Sequence, residues 1–320
     1  MTVSNVINGK FDLMSESTRQ NVYDAIERTS YRPHSRGRSL RLAQDFSIGL
    51  IIVDPSPTFL ADPFTTHIVA GLSNFMSERG YALQIQGIAN GQLAEAAVLK
   101  RHQTDALCVM VSGDPLTRRK LYKALQSAHQ PLVVFQEKVP SFLSDAISVR
   151  QDDRNGGVLL ARRLIARGAR DLVYLKEAHP WPALESREKG IKAAVQEGGA
   201  SLLSATCETA SFADAQFAFA AHVQERGLPH AVLASNDQIA IAVLKWLAER
   251  SIKVPQQIMV TGFNAFEFGL FATPSLTTIR SPAYNLGETA AAHLIDRLRS
   301  KRFEQRDVVL AVSLQDGDSG

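Results

Sequence analysis

Two sets of side chains in this sequence have types and spacings suited to binding. The first lies near the start. Arg32, Arg36, Arg38 and Arg41 fall within ten residues that contain no acid, a local positive charge suited to a polyanion. Ahead of them, Thr2, Ser4 and Asn5 interleave with Val3, Val6 and Ile7. At helical spacing the apolar three share one face and the polar three lie outside it. Short hydroxyls and amides of this kind reach phosphates or base edges. The second set is scattered. Asn236 opens a helix directly after an apolar strand, Asp152 stands where one series of elements gives way to the next, and Phe64 and Trp181 offer flat apolar surfaces. A polyhydroxylated small molecule needs this mixture of donors, acceptors and stacking platform.

The elements that must position these groups follow from periodicity. The helix carrying Thr2 to Ile7 stops at Asn8-Gly9. Ser15 is suited to cap a second helix, whose stripe is Val22, Ala25 and Ile26, and Pro33 punctuates the chain. From residue 48 the pattern changes. Ile48 to Val53 is a continuous apolar run ended by Asp54-Pro55, as expected for a parallel strand buried on both faces. A helix over 65–79 follows, with Ile68, Leu72 and Phe75 inward. Strands over 81–86, 106–111 and 131–135 then alternate with helices over 92–101 and 115–128. The alternation restarts after Arg150, with helices over 153–167, 184–197, 211–225 and 236–249 and strands over 172–175, 231–234 and 258–263. A helix over 283–299 and a strand over 307–313 come last, before a polar tail expected to fray. This order predicts two α/β lobes with doubly wound parallel sheets and a ligand cleft between them, at the carboxyl ends of strands.

Composition narrows the function. At 320 residues the chain holds more than one domain, and 45% hydrophobic with 21% charged residues is ordinary for a globular protein. A net charge of +3 is too small to imply nucleic acid alone, so the arginine cluster carries that inference. Cys108 sits in an apolar run and Cys207 is remote from it. Two such cysteines make neither a disulfide framework nor a zinc site, and they fit a reducing cytoplasm. No apolar run nears the length of a membrane span, and no signal-peptide pattern opens the sequence. Nucleophile-elbow, phosphate-loop and His-Glu-x-x-His motifs are missing, and the eight histidines never pair at ligand spacing. Neither catalysis, metal nor cofactor is expected.

Thr2-Val3-Ser4…Val6-Ile7-Asn8-Gly9, Ser15-Glu16…Thr18-Arg19, Val22…Ala25-Ile26 and Tyr31-Arg32-Pro33 resemble, in order and spacing, the helix-turn-helix headpiece of the LacI/GalR family of bacterial regulators. Ile48-Gly49-Leu50-Ile51, Asp62-Pro63-Phe64, Asp105-Ala106-Leu107, Ser186-Arg187…Gly190, Ser235-Asn236-Asp237, Gly262-Phe263 and Leu276-Thr277-Thr278-Ile279-Arg280 look like that family's effector core, which is similar to periplasmic sugar-binding proteins. The resemblance implies a headpiece at 1–34, a hinge at 35–46 and a core at 47–320. Lobe 1 would hold about 47–150 and 281–304, and lobe 2 about 151–280 and 305–320.

By the same resemblance the first helix is the recognition helix, with Thr2, Ser4 and Asn5 toward bases. Asn5 stands where the family commonly has arginine, which suggests an altered operator preference. Leu40 matches the hinge leucine that wedges into the minor groove, with Arg32, Arg36, Arg38 and Arg41 on phosphates. His34 and Gly37 depart from the usual Asn and Ala, and the glycine costs a hinge helix roughly 1 kcal/mol. The family's preceding helix is missing from the sequence, so Val3, Val6 and Ile7 would lack cover worth roughly 1.5–3 kcal/mol each. A truncated headpiece or an internal start is expected. Arg187 matches the arginine that grips effector oxygens, while Asn264 replaces the usual aspartate. Beside Arg187 and Arg154, that loss of negative charge predicts an anionic effector such as a sugar acid. The whole reads as a cytoplasmic repressor of a carbohydrate or sugar-acid operon. It would bind a pseudopalindromic operator as a homodimer, with helices 65–79 and 92–101 at the dimer face. The alternative is an effector-binding module with lost or impaired DNA binding. A transport protein fits poorly without a signal peptide.

Overall fold

The computed structural model describes residues 2–7, 11–29, 44–89 and 104–320. These fall into two units, Met1–Phe46 and Ser47–Gly320. The N-terminal unit holds α1 (Thr2–Ile7), a tight turn at Phe11–Leu13 and α2 (Glu16–Thr29). Ser15 begins α2 as expected: its Oγ accepts from the Thr18 amide at 3.3 Å. Val22, Ala25 and Ile26 are half-buried, and α2 has no fully buried residue. Val6 is buried but Val3 is 42% exposed. Residues three apart on a helix are offset by about 60°, and the narrow contact here covers only Val6 of that pair. Arg32, Arg36, Arg38, Leu40, Arg41 and the helix expected over 92–101 lie outside the described residues.

In the core unit, β1 (Ser47–Val53) is buried at every position. Ile48, Leu50 and Ile52 serve one apolar cluster, and Ile51 and Val53 the other. Helices cover both faces, which is why the sequence is a continuous apolar run rather than an alternation. α3 (Pro63–Ser77) covers the first face with Ile68, Leu72 and Met76. β2 (Ala82–Ile88) and β3 (Ala106–Val111) flank β1, both parallel to it. α4 (Pro115–Gln126) covers the second face with Leu121, Tyr122 and Leu125. β4 (Leu132–Phe135) and β5 (Ala146–Gln151) extend the sheet in parallel.

At Asp152 the chain crosses to lobe 2. There α5 (Asp153–Ala166), β6 (Asp171–Glu177), α6 (Pro182–Glu197), β7 (Ser201–Cys207), α7 (Phe212–Arg226), β8 (Ala231–Ala234), α8 (Asp237–Glu249) and β9 (Met259–Thr261) build a second parallel sheet, ordered β7-β6-β8-β9. β10 (Thr278–Arg280) leads back to lobe 1, where α9 (Ala283–Ser300) packs beside α3 and β11 (Asp307–Leu310) pairs parallel to β5. The chain then crosses a third time. β12 (Ser313–Gln315) lies antiparallel to β10.

Three expectations need correction. The strand expected over 307–313 is two strands in two lobes, so residues 305–310 go with lobe 1. β5 and β7 were not foreseen. In β5, Ser148 and Arg150 interrupt the apolar run, and β7 is an edge strand with mostly exposed side chains. The tail is not frayed: the Ser319 hydroxyl donates to the Val260 carbonyl at 2.7 Å, and the Ser319 amide to that of Ser275 at 3.0 Å.

α5 and α6 approach so closely that only glycine fits at the crossing. A Cβ on Gly190 would lie 2.0 Å from the Arg154 carbonyl oxygen, and one on Gly157 2.3 Å from that of Arg187. Backbone cannot yield as a side chain can, so Gly190→Ala should cost about 1–3 kcal/mol. Urea denaturation should show the lowered midpoint, with an unchanged slope.

Candidate functional site

The polar residues that follow the strands of both lobes converge on one cleft. Lobe 1 supplies Asp54 after β1, Met110 in β3, Gln136 after β4, and Asp62, Phe64 and Thr65 at the start of α3. Lobe 2 supplies Glu177 at the end of β6, Trp181 and Arg187 around the start of α6, Ser235 and Asn236 after β8, and Asn264 after β9. The inner chamber has a volume of ≈ 140 Å³ and adjoins an outer cleft of ≈ 880 Å³. A single water needs roughly 10–15 Å³ on this measure, so even the chamber admits a small organic molecule.

Arg187 is fixed from three sides. Its Nε donates to Asp153 Oδ1 at 2.8 Å, one Nη donates to the Ser235 carbonyl at 2.5 Å, and the guanidinium lies 3.6 Å from the centre of the Phe263 ring. Both ends of the ion pair are buried. Asp153 Oδ1 also accepts from Gln151 Nε2 at 2.9 Å, and Gln151 Oε1 accepts from the Ser281 hydroxyl at 2.6 Å. The chain of bonds thus runs from two of the interlobe crossings into the chamber wall. Burial raises the Asp153 pKa, and the neighbouring Arg187 opposes that rise.

Three buried polar atoms around the chamber have no partner among the described residues: Gln136 Nε2, Ser235 Oγ and Asn264 Oδ1. Buried polar atoms are normally paired, so these are waiting groups. Gln136 and Asn264 also hold positive φ, at 64° and 115°. Such strain in non-glycine residues gathers at binding sites. Glu177 Oε1 accepts from Asn236 Nδ2 at 3.0 Å. Its pKa is pushed up to about 7, first by burial and then by the negative charge of Asp62 and Asp54.

Phe64, Trp181, Arg187, Asn236 and Asn264 all line the chamber. Asp152 does not: it caps α5, accepting from the Asn155 amide at 3.1 Å, and the adjacent Asp153 takes the buried place beside Arg187. The next helix start repeats the order. Asn236 is the cap, bonded to the Ile239 amide, and Asp237 is buried, accepting from Thr278 Oγ at 2.6 Å and from the Phe266 amide at 3.1 Å. Burial pushes the Asp237 pKa up to about 6. Arg154 is exposed and outside the lining. The surroundings of Asn264 are therefore acidic rather than basic, with Asp54, Asp62 and Glu177 lining the chamber against a single, already paired Arg187. Asp54, Gln136, Glu177 and Ser235 escaped the sequence reading. Each is the first polar residue after an apolar strand run or close to it, a signal the carboxyl-end rule could have used.

The lobes also touch beside the cleft. Arg118 of lobe 1 forks onto Glu185 of lobe 2 at 2.9 and 3.1 Å while its Nε meets Glu137, and the Gly113 amide donates to the Pro180 carbonyl at 2.9 Å.

In the N-terminal unit, Thr2, Ser4 and Asn5 all lie on α1, and Asn5 is half-exposed.

A pair of parallel-sheet lobes crossed three times by the chain, with waiting polar groups between them, defines a periplasmic-binding-protein-like core. Residues 161–319 match the periplasmic binding protein-like domain family. The whole chain is similar to the HTH-type transcriptional repressor PurR of Aliivibrio fischeri (strain MJ11), 27% identical over 95% of this chain and 90% of that one. It is similar also to the ribose operon repressor of Escherichia coli (strain K12), 28% identical over 99% and 95%. Its fold matches the lac repressor dimer bound to operator and the anti-inducer ONPF, with a TM-score of 0.85 at 21% identity, covering 99% and 94%. A LacI family regulator from Enterococcus faecium with bound ribose gives a TM-score of 0.72 at 22% identity, covering 85% and 98%. Over almost its whole length the chain is thus similar to transcriptional repressors, and its fold is that of the lac repressor and of a LacI family regulator.

Removing Asp153 should strand a buried cation. Asp153→Ala is expected to lower stability by about 3–5 kcal/mol, and Asp153→Asn by less, because an amide oxygen can still accept from Arg187. Denaturant titration separates the two. Glu177 gives a pH signature. Its folded pKa of about 7 lies above the ordinary 4.5, so between those values the folded state holds a proton that the unfolded chain has released. Its stabilising contribution is fully present at low pH and is lost as pH rises through 7. Glu177→Gln should therefore gain in melting temperature relative to the wild type as pH rises from about 5 to about 8.

Proposed function

We propose that this chain is a transcriptional repressor whose affinity for an operator is set by a carbohydrate-type effector held between the core lobes. The observation that carries the effector half is the trio of unpartnered polar atoms, Gln136 Nε2, Ser235 Oγ and Asn264 Oδ1, around a chamber that also presents Arg187, Asn236, Phe64 and Trp181. Hydroxyls satisfy such donors and acceptors in pairs, and the aromatic walls suit a sugar ring. The ribose and cellobiose in structures of the same fold support this class of ligand.

The DNA half rests on the N-terminal unit and the arginine cluster behind it. Thr2, Ser4 and Asn5 on α1 meet bases, and Arg32, Arg36, Arg38 and Arg41 meet phosphates, with Leu40 wedged in the minor groove. Two chains act together on a pseudopalindrome in the cytoplasm. Phe217 and Phe271, 78% and 80% exposed on lobe 2, give an apolar surface for association besides α3. Effector and operator are then coupled reciprocally. A change in lobe angle alters the crossings at Asp152, Ser281 and Val312, and through them the approach of the two headpieces. A second reading, an effector module with impaired DNA binding, is favoured by the lack of any fully buried residue in α2.

Fluorescence anisotropy on operators selected from a random duplex library tests both. The expected result is specific binding whose log K falls steeply and linearly with log salt. Asn5→Arg should shift the selected half-site from adenine toward guanine at one position. An effector-module protein would instead select nothing while still binding sugar. Arg187→Ala should weaken effector binding about a hundredfold, as expected on losing a buried charged hydrogen-bond partner.

A further inference from the structure

The charge lining the cleft is one-sided. Asp54, Asp62 and Glu177 line both the inner chamber and the outer cleft, and Glu208 joins them in the outer part. Among the described residues no lysine lines either part, and Arg187 is the one arginine that does, its charge already matched by Asp153 at 2.8 Å. His179, in the outer cleft, is held toward its neutral form by burial. The carboxylates also have incomplete protein partners. Asp62 is satisfied as the cap of α3, accepting from the Phe64 and Thr65 amides and from Thr65 Oγ. Among the described residues Asp54 accepts only from the Ser56 amide, and Glu177 only from Asn236, through Oε1. Neither of the last two has a cationic partner within bonding distance among the described residues. In the inner chamber that they line, Asn264 Oδ1, 94% buried by residue, is an acceptor without a donor among the described residues. Trp181 adds an aromatic face to both parts of the cleft, a surface that attracts cations.

We infer that the effector carries a protonated amine together with its hydroxyls, as an amino sugar does, with the ammonium seated among Asp54, Glu177 and Asn264 Oδ1. The inference rests on the reading of the cleft as an effector site and names the ligand class. An ammonium supplies three donors and no acceptor, which matches two under-bonded carboxylates and one orphan carbonyl oxygen. The ring hydroxyls fall to Arg187, Gln136 Nε2 and Ser235 Oγ. A neutral sugar would leave the cleft's negative charge uncompensated, and an anionic one would add to it. The ammonium would also draw Glu177 into its ionised form on binding, so an uptake of amine should release a proton near neutral pH.

Isothermal titration of the full chain with matched sets tests this: glucosamine, glucose, N-acetylglucosamine and glucuronate, and the same four in the galactose series. In at least one set the amino sugar should bind about tenfold or more tightly than its neutral parent, with the N-acetyl form losing that advantage and the uronate weakest. Glu177→Gln keeps the acceptor for Asn236 and should erase most of the amino sugar's advantage over its neutral parent. Asp54→Asn serves the same purpose should the first variant fold poorly, and melting curves check both. If a neutral sugar or a uronate binds as tightly as its amine, the inference fails and the effector-site reading stands. If no member of either set binds, both fall.

Discussion

The buried pair of Arg187 and Asp153 is the constraint around which the core is arranged. A guanidinium taken out of water is tolerable only when its charge and its donors are met. Here the charge is met by an acid at the first turn of α5 and the donors by that acid and the Ser235 carbonyl, with Phe263 stacked beneath. Each partner comes from a different part of lobe 2, so the arginine can sit in the chamber wall only when α5, α6 and the end of β8 are all in place. The glycines at the α5–α6 crossing serve the same end. They bring the two helix backbones close enough for an ion pair between side chains that start on separate helices.

That same pair is bonded into the hinge through Gln151 and Ser281. A ligand pulling on Arg187 therefore acts on residues that join the lobes, without needing a separate relay. Beside the cleft, Arg118 and Glu185 hold the lobes together with a bidentate contact that must break if the lobes rotate apart there. The resting geometry is thus set by two ionic contacts of different kinds. One lies within lobe 2 and faces the ligand, and the other lies between the lobes, with Arg118 buried and Glu185 half-buried.

Much of this was legible in the residues. β1 and β3 were plain because strands covered on two faces must be apolar at every position. β5 and β7 were hidden for the opposite reason, since an interrupted run or an edge strand looks like a loop. At the cleft, Phe64, Trp181, Arg187, Asn236 and Asn264 were identified, and they share one chamber. At the start of α5 the expectation fell on Asp152, one residue before the buried Asp153. Adjacent residues at a helix start differ in direction by about 100°, so one caps while its neighbour turns inward, and sequence alone does not say which. The acidity of the cleft was not legible at all. Glu177 is remote in the chain from Asp54 and Asp62, and only the convergence of strand ends from both lobes puts their charges together.

The threefold passage of the chain between the lobes sets the order in which the molecule can assemble during synthesis. β5 closes its edge against β11, some 157 residues later in the chain, and β10 waits for β12. Neither lobe is complete until the last few dozen residues have left the ribosome, because β11 and β12 are the last strands to be made. Pairings so distant in sequence form late. A nascent or prematurely ended chain would carry an N-terminal unit but no finished cleft, so competence to sense the effector is conferred at the very end of translation and on both lobes at once.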